Sequence, residues 1–275
     1  MLIFEPTVTV VGKSQFDFEG LESWAIQNGY GDLDETTPFG NIMESESYPA
    51  PELISEFAGR FCYNSFSKGR PSDEYLANVI EMRHGSVLEH VNFTFAISGV
   101  SRALTHELIR HRAGFAVSQE SQRYVDAKDI KFVVPPLLLW QCSFNKDHPR
   151  IKRFEASCAR ALEDYKLEQA DYVAALNEVD DIKEKTVIKK RANEAARSVL
   201  PNSCETKLVW TGNMRALRHV LELRGDSHAD LEIRRLAAEL AYLMLLEAPY
   251  TFNDITIHPD GDFGVPITTV KATKV

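Results

Sequence analysis

The hydrophobic and polar positions in the first half of the chain alternate with the period of β-strands. Residues 7–11 (TVTVV) and Asn92–Ser98 (NFTFAIS) alternate and are rich in β-branched and aromatic side chains. A third such run is Ile130–Pro135 (IKFVVP). Because successive side chains of a strand point to opposite faces, these runs predict three short strands.

Elsewhere the apolar positions recur with the period of a helix. Helical spacing predicts three helices before residue 110 and four longer ones after Arg150. The early helices are Pro51–Phe66, Ser72–His84 and Ser101–Ile109, and the later ones are Ile151–Leu176, Asp180–Leu200, Glu205–Leu223 and His228–Leu246. Strands followed by long helices predict the α+β fold class.

Residues 21–50 contain the turn signals NGYGD, TTPFG and ESESYPAP and show no periodic apolar pattern. We therefore expect a surface insertion at residues 21–50. The rest of the chain has no internal repeat or low-complexity tract, and residues 1–275 are expected to form a single domain.

Composition narrows the class of protein. The chain has 275 residues, of which 44% are hydrophobic and 26% charged, as in ordinary globular proteins. The net charge of −9 argues against broad binding to nucleic acid or to an anionic membrane, although a local basic pocket is compatible with it. The four cysteines form no C-x-x-C pair, and no apolar run is long enough to span a bilayer. We expect reduced thiols and a cytoplasmic location, in a bacterium or in the host of a virus.

The segment Arg110–Tyr124 (RHRAGFAVSQESQRY) concentrates basic and amide side chains. Guanidinium and amide groups suit bidentate recognition of phosphates and base edges, so this segment is a candidate anion-binding site. With Ser101 as N-cap and Gly114 as a stop, Arg110–Arg112 would fall on the last turn of a helix. The plainer alternative is that these cations only complement the helix dipole.

Further polar residues have similar alternatives. Glu194 and Arg197 are three residues apart on a predicted helix and could form a surface ion pair. Asn213, Arg215 and His219 could be an ordinary polar helix face. Arg224 precedes Gly225, which is a usual arrangement at a helix end.

The histidines and acids of His84–His90 do not give a metal site by spacing. His84, Ser86, Glu89 and His90 do not match the H-E-x-x-H pattern. We therefore predict that no metal is bound.

The signature segment resembles that of the flavin-dependent thymidylate synthases, Arg-His-Arg followed after seven residues by Ser. Here eight residues separate Arg112 from Ser121, while the following SQRY agrees with the family. Four further segments resemble the family in the same order, and the resemblance covers about Arg60 to Phe252. They are His84–Phe95, Ala192–Pro201, Trp210–Arg224 and Leu223–Ala237.

The resemblance implies a fold, an activity and an assembly. The fold would be a central, mostly antiparallel sheet with long flanking helices. The enzyme would convert dUMP to dTMP, with methylenetetrahydrofolate as one-carbon donor, FAD as cofactor and NADPH as reductant. It would be a homotetramer with active sites shared between subunits.

The resemblance also assigns site residues. Arg224 would be the catalytic residue, because a permanent guanidinium stabilises negative charge on the pyrimidine ring. The dUMP-binding set would be Glu107, Arg110, Gln119, Ser121, Gln122, Arg123, Arg197 and Arg224. The FAD-binding set would be Ser86, Arg110, His111, Arg112, Gln119, Asn213, Met214, Arg215 and His219. Two positions depart from the family pattern, since relatives often carry Gln at Glu107 and Asn at His219.

Two other functions stay open at the level of sequence. One is a flavin- and folate-dependent enzyme that makes 5-hydroxymethyl-dUMP, and the other is a non-catalytic nucleotide-binding relative. A serine hydrolase built on Ser121 is weaker, because the chain has no G-x-S-x-G elbow.

Overall fold

The structure is a computed structural model that describes residues 1–30, 50–66, 70–179 and 184–275. The chain divides into two compact units, each assembled from three stretches of sequence. Unit one comprises Met1–Thr7, Ala96–Arg110 and Val117–Val209, and unit two comprises Val8–Phe95, His111–Ala116 and Trp210–Val275.

Eight strands occur within the described residues and form three sheets. A four-stranded sheet has the order β2-β3-β6-β4, β1 pairs with β5 in parallel, and β7 and β8 form an antiparallel pair. The strands are β1 (Leu2–Ile3), β2 (Thr7–Lys13), β3 (Asn92–Ser101), β4 (Phe115–Gln119), β5 (Phe132–Val133), β6 (Glu205–Asn213), β7 (Ile255–His258) and β8 (Ile267–Val270).

Ten α-helices and three short 3-10 helices occupy the same described ranges. The α-helices are α1 (Phe18–Gln27), α2 (Ala50–Cys62), α3 (Ser72–Glu81), α4 (Arg102–Leu108), α5 (Pro136–Gln141), α6 (Pro149–Asn177), α7 (Lys185–Ala196), α8 (Met214–Arg224), α9 (Leu231–Glu247) and α10 (Pro249–Phe252). The 3-10 helices are Gly85–His90, Arg197–Val199 and Asp262–Gly264. No helix in the described part of the chain has the length and apolar character needed to cross a membrane.

The core of unit one is built on helix α6. Cys158, Leu162 and Tyr165 of this helix pack with Phe132 of β5 and with Cys204. The hydroxyl of the buried Tyr165 accepts a hydrogen bond from the backbone N–H of Ala127, at 3.1 Å. The core therefore fixes the chain directly after the signature segment.

Among the buried arginines of unit two, Arg218 and Arg234 bind backbone carbonyls. Arg218 of α8 forms an ion pair with Asp254, with 2.8 Å between Nη1 and Oδ1, and also donates to the carbonyl of Thr251. Arg234 of α9 is fully buried and donates to the carbonyls of Asp262 and Val265. Buried guanidinium groups need several acceptors, and these carbonyls provide them.

The predicted α+β class with a mostly antiparallel sheet is confirmed. The strand predictions at residues 7–11, Asn92–Ser98 and Ile130–Pro135 correspond to β2, β3 and the two-residue β5. The helices predicted at Pro51, Ser72, Ser101, Ile151 and His228 are also present, with shifted ends. The helix predicted from Asp180 begins at Lys185, and residues 180–183 lie outside the described part.

The helix predicted over Glu205–Leu223 is wrong in its first half, where the chain forms strand β6. Buried positions alternate there at Thr206, Leu208 and Trp210, which is the period of a strand. The helix starts only at Met214, because the side chain of Asn213 caps it by accepting from the Ala216 N–H at 2.8 Å.

Residues 21–27, where no helical period was recognised, belong to helix α1, and the surface insertion at 21–50 stays a prediction. Asp17 caps this helix, and Leu21 and Ala25 are buried in a core cluster with Leu53 of α2. The apolar face of α1 is only two turns long, so the turn signals after it masked its period. Residues 31–49 lie outside the described residues.

Candidate functional site

The Arg110–Arg112 triplet follows helix α4 and does not lie on its last turn, so that prediction is wrong. Ser101 caps the helix as predicted, accepting from the Leu104 N–H at 3.1 Å, but the helix ends at Leu108. Arg110 Nε donates to the carbonyl oxygen of His106 at 3.2 Å. The observed contact of Arg110 is thus with a carbonyl near the end of α4, as the plainer alternative describes.

Gly114 belongs to the turn before strand β4 and is not the stop of α4. Its φ of +77° is in the left-handed region, and its carbonyl accepts from the Asn213 N–H at 3.1 Å. A Cβ at this position would lie 2.7 Å from Asn213 Nδ2 and 2.8 Å from Ala216 Cβ. Only glycine lets this turn lie against the first turn of α8.

A cavity of about 440 Å³ in unit two adjoins this turn. Three residues of the predicted FAD set line it, Asn213, Arg215 and His219, together with Gly114. The amino end of a helix carries partial positive charge, which favours anions. The cavity therefore combines a helix start, a basic side chain and an uncovered glycine.

Arg215 is one of three cationic residues that line this cavity, with Arg218 and Lys274. Its Nη1 lies 2.5 Å from Oε1 of Glu89, and its Nε donates to the backbone oxygen of Val275 at 3.0 Å. Both Arg215 and Glu89 are about half exposed, so their ion pair is screened by solvent. A ligand anion can therefore replace Glu89 as the partner of Arg215 at little cost in free energy.

His111 and Arg224 meet within unit two although they are 113 residues apart. Arg224 Nε donates to His111 Nε2 at 2.9 Å, so His111 acts as an acceptor and is neutral. Burial, followed by the charges of Arg224 and His219, lowers the pKa of His111 to about 4. At neutral pH the pair is a fixed guanidinium cation beside an uncharged imidazole.

The remaining predicted FAD residues of unit two do not cluster as tightly. Met214 is completely buried, and its backbone N–H donates to the Val91 carbonyl, so its side chain belongs to the core. Ser86 is exposed on the 3-10 helix that also carries Glu89. Arg112 is exposed directly before the Gly114 turn.

In unit one, Gln119 and Ser121 are held by local hydrogen bonds. Gln119 Nε2 donates to Thr206 Oγ1 at 3.1 Å and lies 3.4 Å from Thr105 Oγ1. Ser121 Oγ accepts from the Arg123 N–H at 3.3 Å. These bonds fix the polar loop that follows β4.

Arg123 forms an ion pair with Glu194 of α7, and its carbonyl accepts from Asn193 Nδ2 at 3.3 Å. The alternative in which Glu194 pairs with Arg197 is therefore wrong. Arg197 instead lies on the 3-10 helix after α7, close enough to Arg102 for its charge to add to burial in lowering the pKa of Arg102. Arg102 and Arg197 are thus brought near one another.

Gln122 lines a second cavity, of about 190 Å³, within unit one. The charged residues that line it are Arg102, Glu120, Asp126, Asp129, Lys131, Glu205 and Lys207. Within the described residues, Gln122 Nε2 and Arg102 Nη1 are buried donors without a hydrogen-bond partner. Glu107, from the predicted dUMP set, is half-buried on α4.

Sequence reasoning missed Arg102 and Lys190 as neighbours of the predicted site, and it considered Glu89 only as a metal ligand. Lys190 Nζ lies 4.6 Å from the ring centre of Tyr124, and it precedes Glu194 by four residues on α7. That spacing, which puts two side chains on one helix face, was the available signal. Arg102 and Glu89 had no such local signal.

Comparison with known proteins agrees with these features. The profile of the family described as "Thy1: Thymidylate synthase complementing protein" matches residues 45–250. A flavin-dependent thymidylate synthase of Mycobacterium marinum is 40% identical over 232 residues, covering 82% of this chain and 87% of that protein. One from Mycobacterium sp. (strain JLS) is 42% identical over 248 residues, covering 87% and 93%.

A solved structure extends the likeness to the fold. The UMP/dUMP methylase PolB of Streptomyces cacaoi, bound with 5-Br dUMP, superposes with a TM-score of 0.61 at 23% identity. The match covers 92% of this chain and 95% of that one. The family profile and the mycobacterial relatives show that the chain belongs to the flavin-dependent thymidylate synthase family.

Proposed function

We propose that this protein methylates dUMP to dTMP as a flavin-dependent thymidylate synthase. The observation that carries the proposal is the 40–42% identity to enzymes of that name over more than four-fifths of the chain. Methylenetetrahydrofolate provides the carbon, and FAD, reduced by NADPH, supplies the hydride. The protein itself binds and orients these ligands and stabilises charge.

The cavity at the start of α8 fits the pyrophosphate of FAD. Gly114 lets the turn pack against Asn213 at the wall of the cavity, where a Cβ would collide, and Arg215 supplies a cation. Arg215 would exchange Glu89 for a phosphate oxygen, and His219 would line the same wall. The proposed FAD set also includes Ser86, Arg110, His111, Arg112, Gln119 and Met214, of which Met214 would act only through its place in the core.

The proposed dUMP set lies mainly in unit one and is rich in arginine. Arg123 is held by Glu194, and Arg197 lies near Arg102, so a nucleotide phosphate would meet several positive charges. A phosphate bound here would partly relieve the repulsion between Arg102 and Arg197. The other members of this set are Glu107, Arg110, Gln119, Ser121, Gln122 and Arg224.

Arg224 is the proposed catalytic residue. Because its guanidinium remains charged, it would stabilise negative charge that develops on the pyrimidine ring. His111 accepts from Arg224 Nε and thereby fixes the direction of the remaining N–H groups. A neutral His111 is required for this, and its lowered pKa keeps it neutral at physiological pH.

The test is dTMP formation by the purified protein with FAD, NADPH, methylenetetrahydrofolate and dUMP. Each of the four components is omitted in turn as a control. The proposal predicts dTMP only in the complete mixture, with flavin absorbance on the reconstituted protein. Bound flavin and dUMP without any turnover would instead support a non-catalytic nucleotide-binding protein.

We also propose a homotetramer whose active sites are shared between subunits, in the cytoplasm. The family resemblance supports the assembly, and the four cysteines are free thiols, as in reducing compartments. Light scattering should give about four times the chain mass of 31.1 kDa. A mixture of inactive Arg123→Ala and Arg224→Ala proteins should regain activity on co-assembly, whereas a fully active monomer would contradict the proposal.

A further inference from the structure

The segment from Lys271 to Val275 forms one wall of the cavity in unit two. Ala272, Lys274 and Val275 line this cavity together with Arg215 and His219. None of the segment's residues was singled out from the sequence, because it shows neither periodicity nor a motif. Its position therefore adds new groups to the proposed cofactor site.

Hydrogen bonds fix the backbone of this segment. The Ala272 N–H donates to Asp254 Oδ2 at 2.8 Å, and Arg218 Nη2 donates to the Ala272 carbonyl at 3.1 Å. The Lys274 N–H donates to Glu222 Oε2 at 3.2 Å. The segment is thus attached to α8 and to a buried ion pair.

Gly85 lies directly against Val275 of this segment. A Cβ at Gly85 would lie 2.4 Å from the carbonyl carbon of Val275 and 3.0 Å from Arg215 Nε. The Val275 oxygen accepts from Arg215 Nε at 3.0 Å. The backbone is therefore fixed on both sides of Lys274, at Ala272 and at Val275.

The carboxylates that line the cavity contact groups other than the Lys274 ammonium. Glu89 is paired with Arg215, and Glu222 accepts from the Lys274 N–H and lies 4.0 Å from His219 Nδ1. Among the described residues, no carboxylate pairs with the Lys274 ammonium group. A ligand anion in the cavity would give this ammonium group an ion-pair partner.

We propose that Lys274 is a further cofactor-binding residue, whose ammonium group binds the pyrophosphate of FAD. The inference rests on the proposed function and deepens it. An ammonium group on a flexible stem binds phosphate as a point charge and needs no planar geometry. Lys274 thus complements Arg215, which reaches the same cavity from α8.

The experiment measures the dissociation constant of FAD by flavin fluorescence for wild type, Lys274→Ala, Lys274→Arg and the control Lys271→Ala. Lys271 is an exposed lysine of the same segment and lies outside the lining of this cavity. Lys274→Ala should weaken FAD binding about tenfold, equivalent to about 1.4 kcal/mol. Lys274→Arg and Lys271→Ala should bind within about threefold of wild type, less than half of that free energy.

Riboflavin, which lacks phosphate, is the matched ligand control. Lys274→Ala should leave riboflavin binding unchanged and should reduce the salt dependence of FAD binding. Equal weakening of both ligands, or unchanged FAD binding, would overturn the inference. If wild type forms dTMP while Lys274→Ala binds FAD normally, only this inference fails. If wild type binds no FAD, the proposed function fails as well.

Discussion

The neutral state of His111 makes stability depend on pH in a defined direction. In the folded protein its pKa is lowered from 6.5 to about 4, first by burial and then by Arg224 and His219. Between these values the unfolded chain takes up a proton on His111 that the folded chain excludes. The stability associated with a neutral His111 is therefore fully present above pH 6.5 and is lost as the pH falls toward 4.

The full shift in the pKa of His111 would correspond to about 3 kcal/mol in the free energy of unfolding. Because His111 is only half-buried, solvent screening reduces this, and we expect about 1–2 kcal/mol. His111→Gln is the informative variant, since its amide oxygen can still accept from Arg224 while the side chain no longer titrates. His228→Gln is the control, because the His228 side chain is 94% exposed.

The assay is urea unfolding of the flavin-free protein at several pH values between 7 and 4. Relative to His111→Gln, wild type should lose about 1–2 kcal/mol across this interval, whereas His228→Gln should follow wild type. Proton NMR of the His111 ring should show a titration midpoint below 5. Parallel stability curves, or a midpoint near 6.5, would refute the account of the His111–Arg224 pair.

Three substitutions test other parts of the account. Arg224→Ala should lower kcat at saturating dUMP about 100-fold or more with little change in Tm, and unchanged turnover would remove its catalytic role. Asp254→Ala leaves Arg218 buried without its partner and should cost about 3 kcal/mol in urea unfolding, whereas Asp226→Ala, at an exposed ion pair, should cost less than about 1 kcal/mol. Equal costs would contradict the burial argument. Gly114→Ala forces a Cβ into a strained, crowded position and should weaken FAD binding about tenfold, so wild-type affinity would show that the turn moves freely.

Much of the secondary structure was predictable because it follows from local periodicity. Ser101 capped its helix as expected, and the long helix α6 matched its apolar spacing. Strand β6 was missed because a capped helix follows it without a turn, so two periods were read as one. The hairpin of β7 and β8 also went unpredicted, since each strand has only four residues.

The candidate residues could be named from the sequence, but their contacts could not. The bond between His111 and Arg224 joins positions 113 residues apart, and the lowered pKa depends on burial that only the fold creates. Arg123 meets Glu194 for the same reason, since Arg123 lies in the loop after β4 and Glu194 lies on α7. Spacing along a helix predicted Arg197 as the partner, because it takes account only of local neighbours.

The mass of the nucleotide product tests the central claim most directly. The purified protein is given dUMP, methylenetetrahydrofolate, FAD and NADPH, and the product is analysed by mass spectrometry. A thymidylate synthase yields a nucleotide heavier than dUMP by one CH₂ group, and the account predicts this dTMP. A product heavier by CH₂O would identify a hydroxymethylase, and the absence of any product from flavin-loaded, folded protein would contradict the proposed activity.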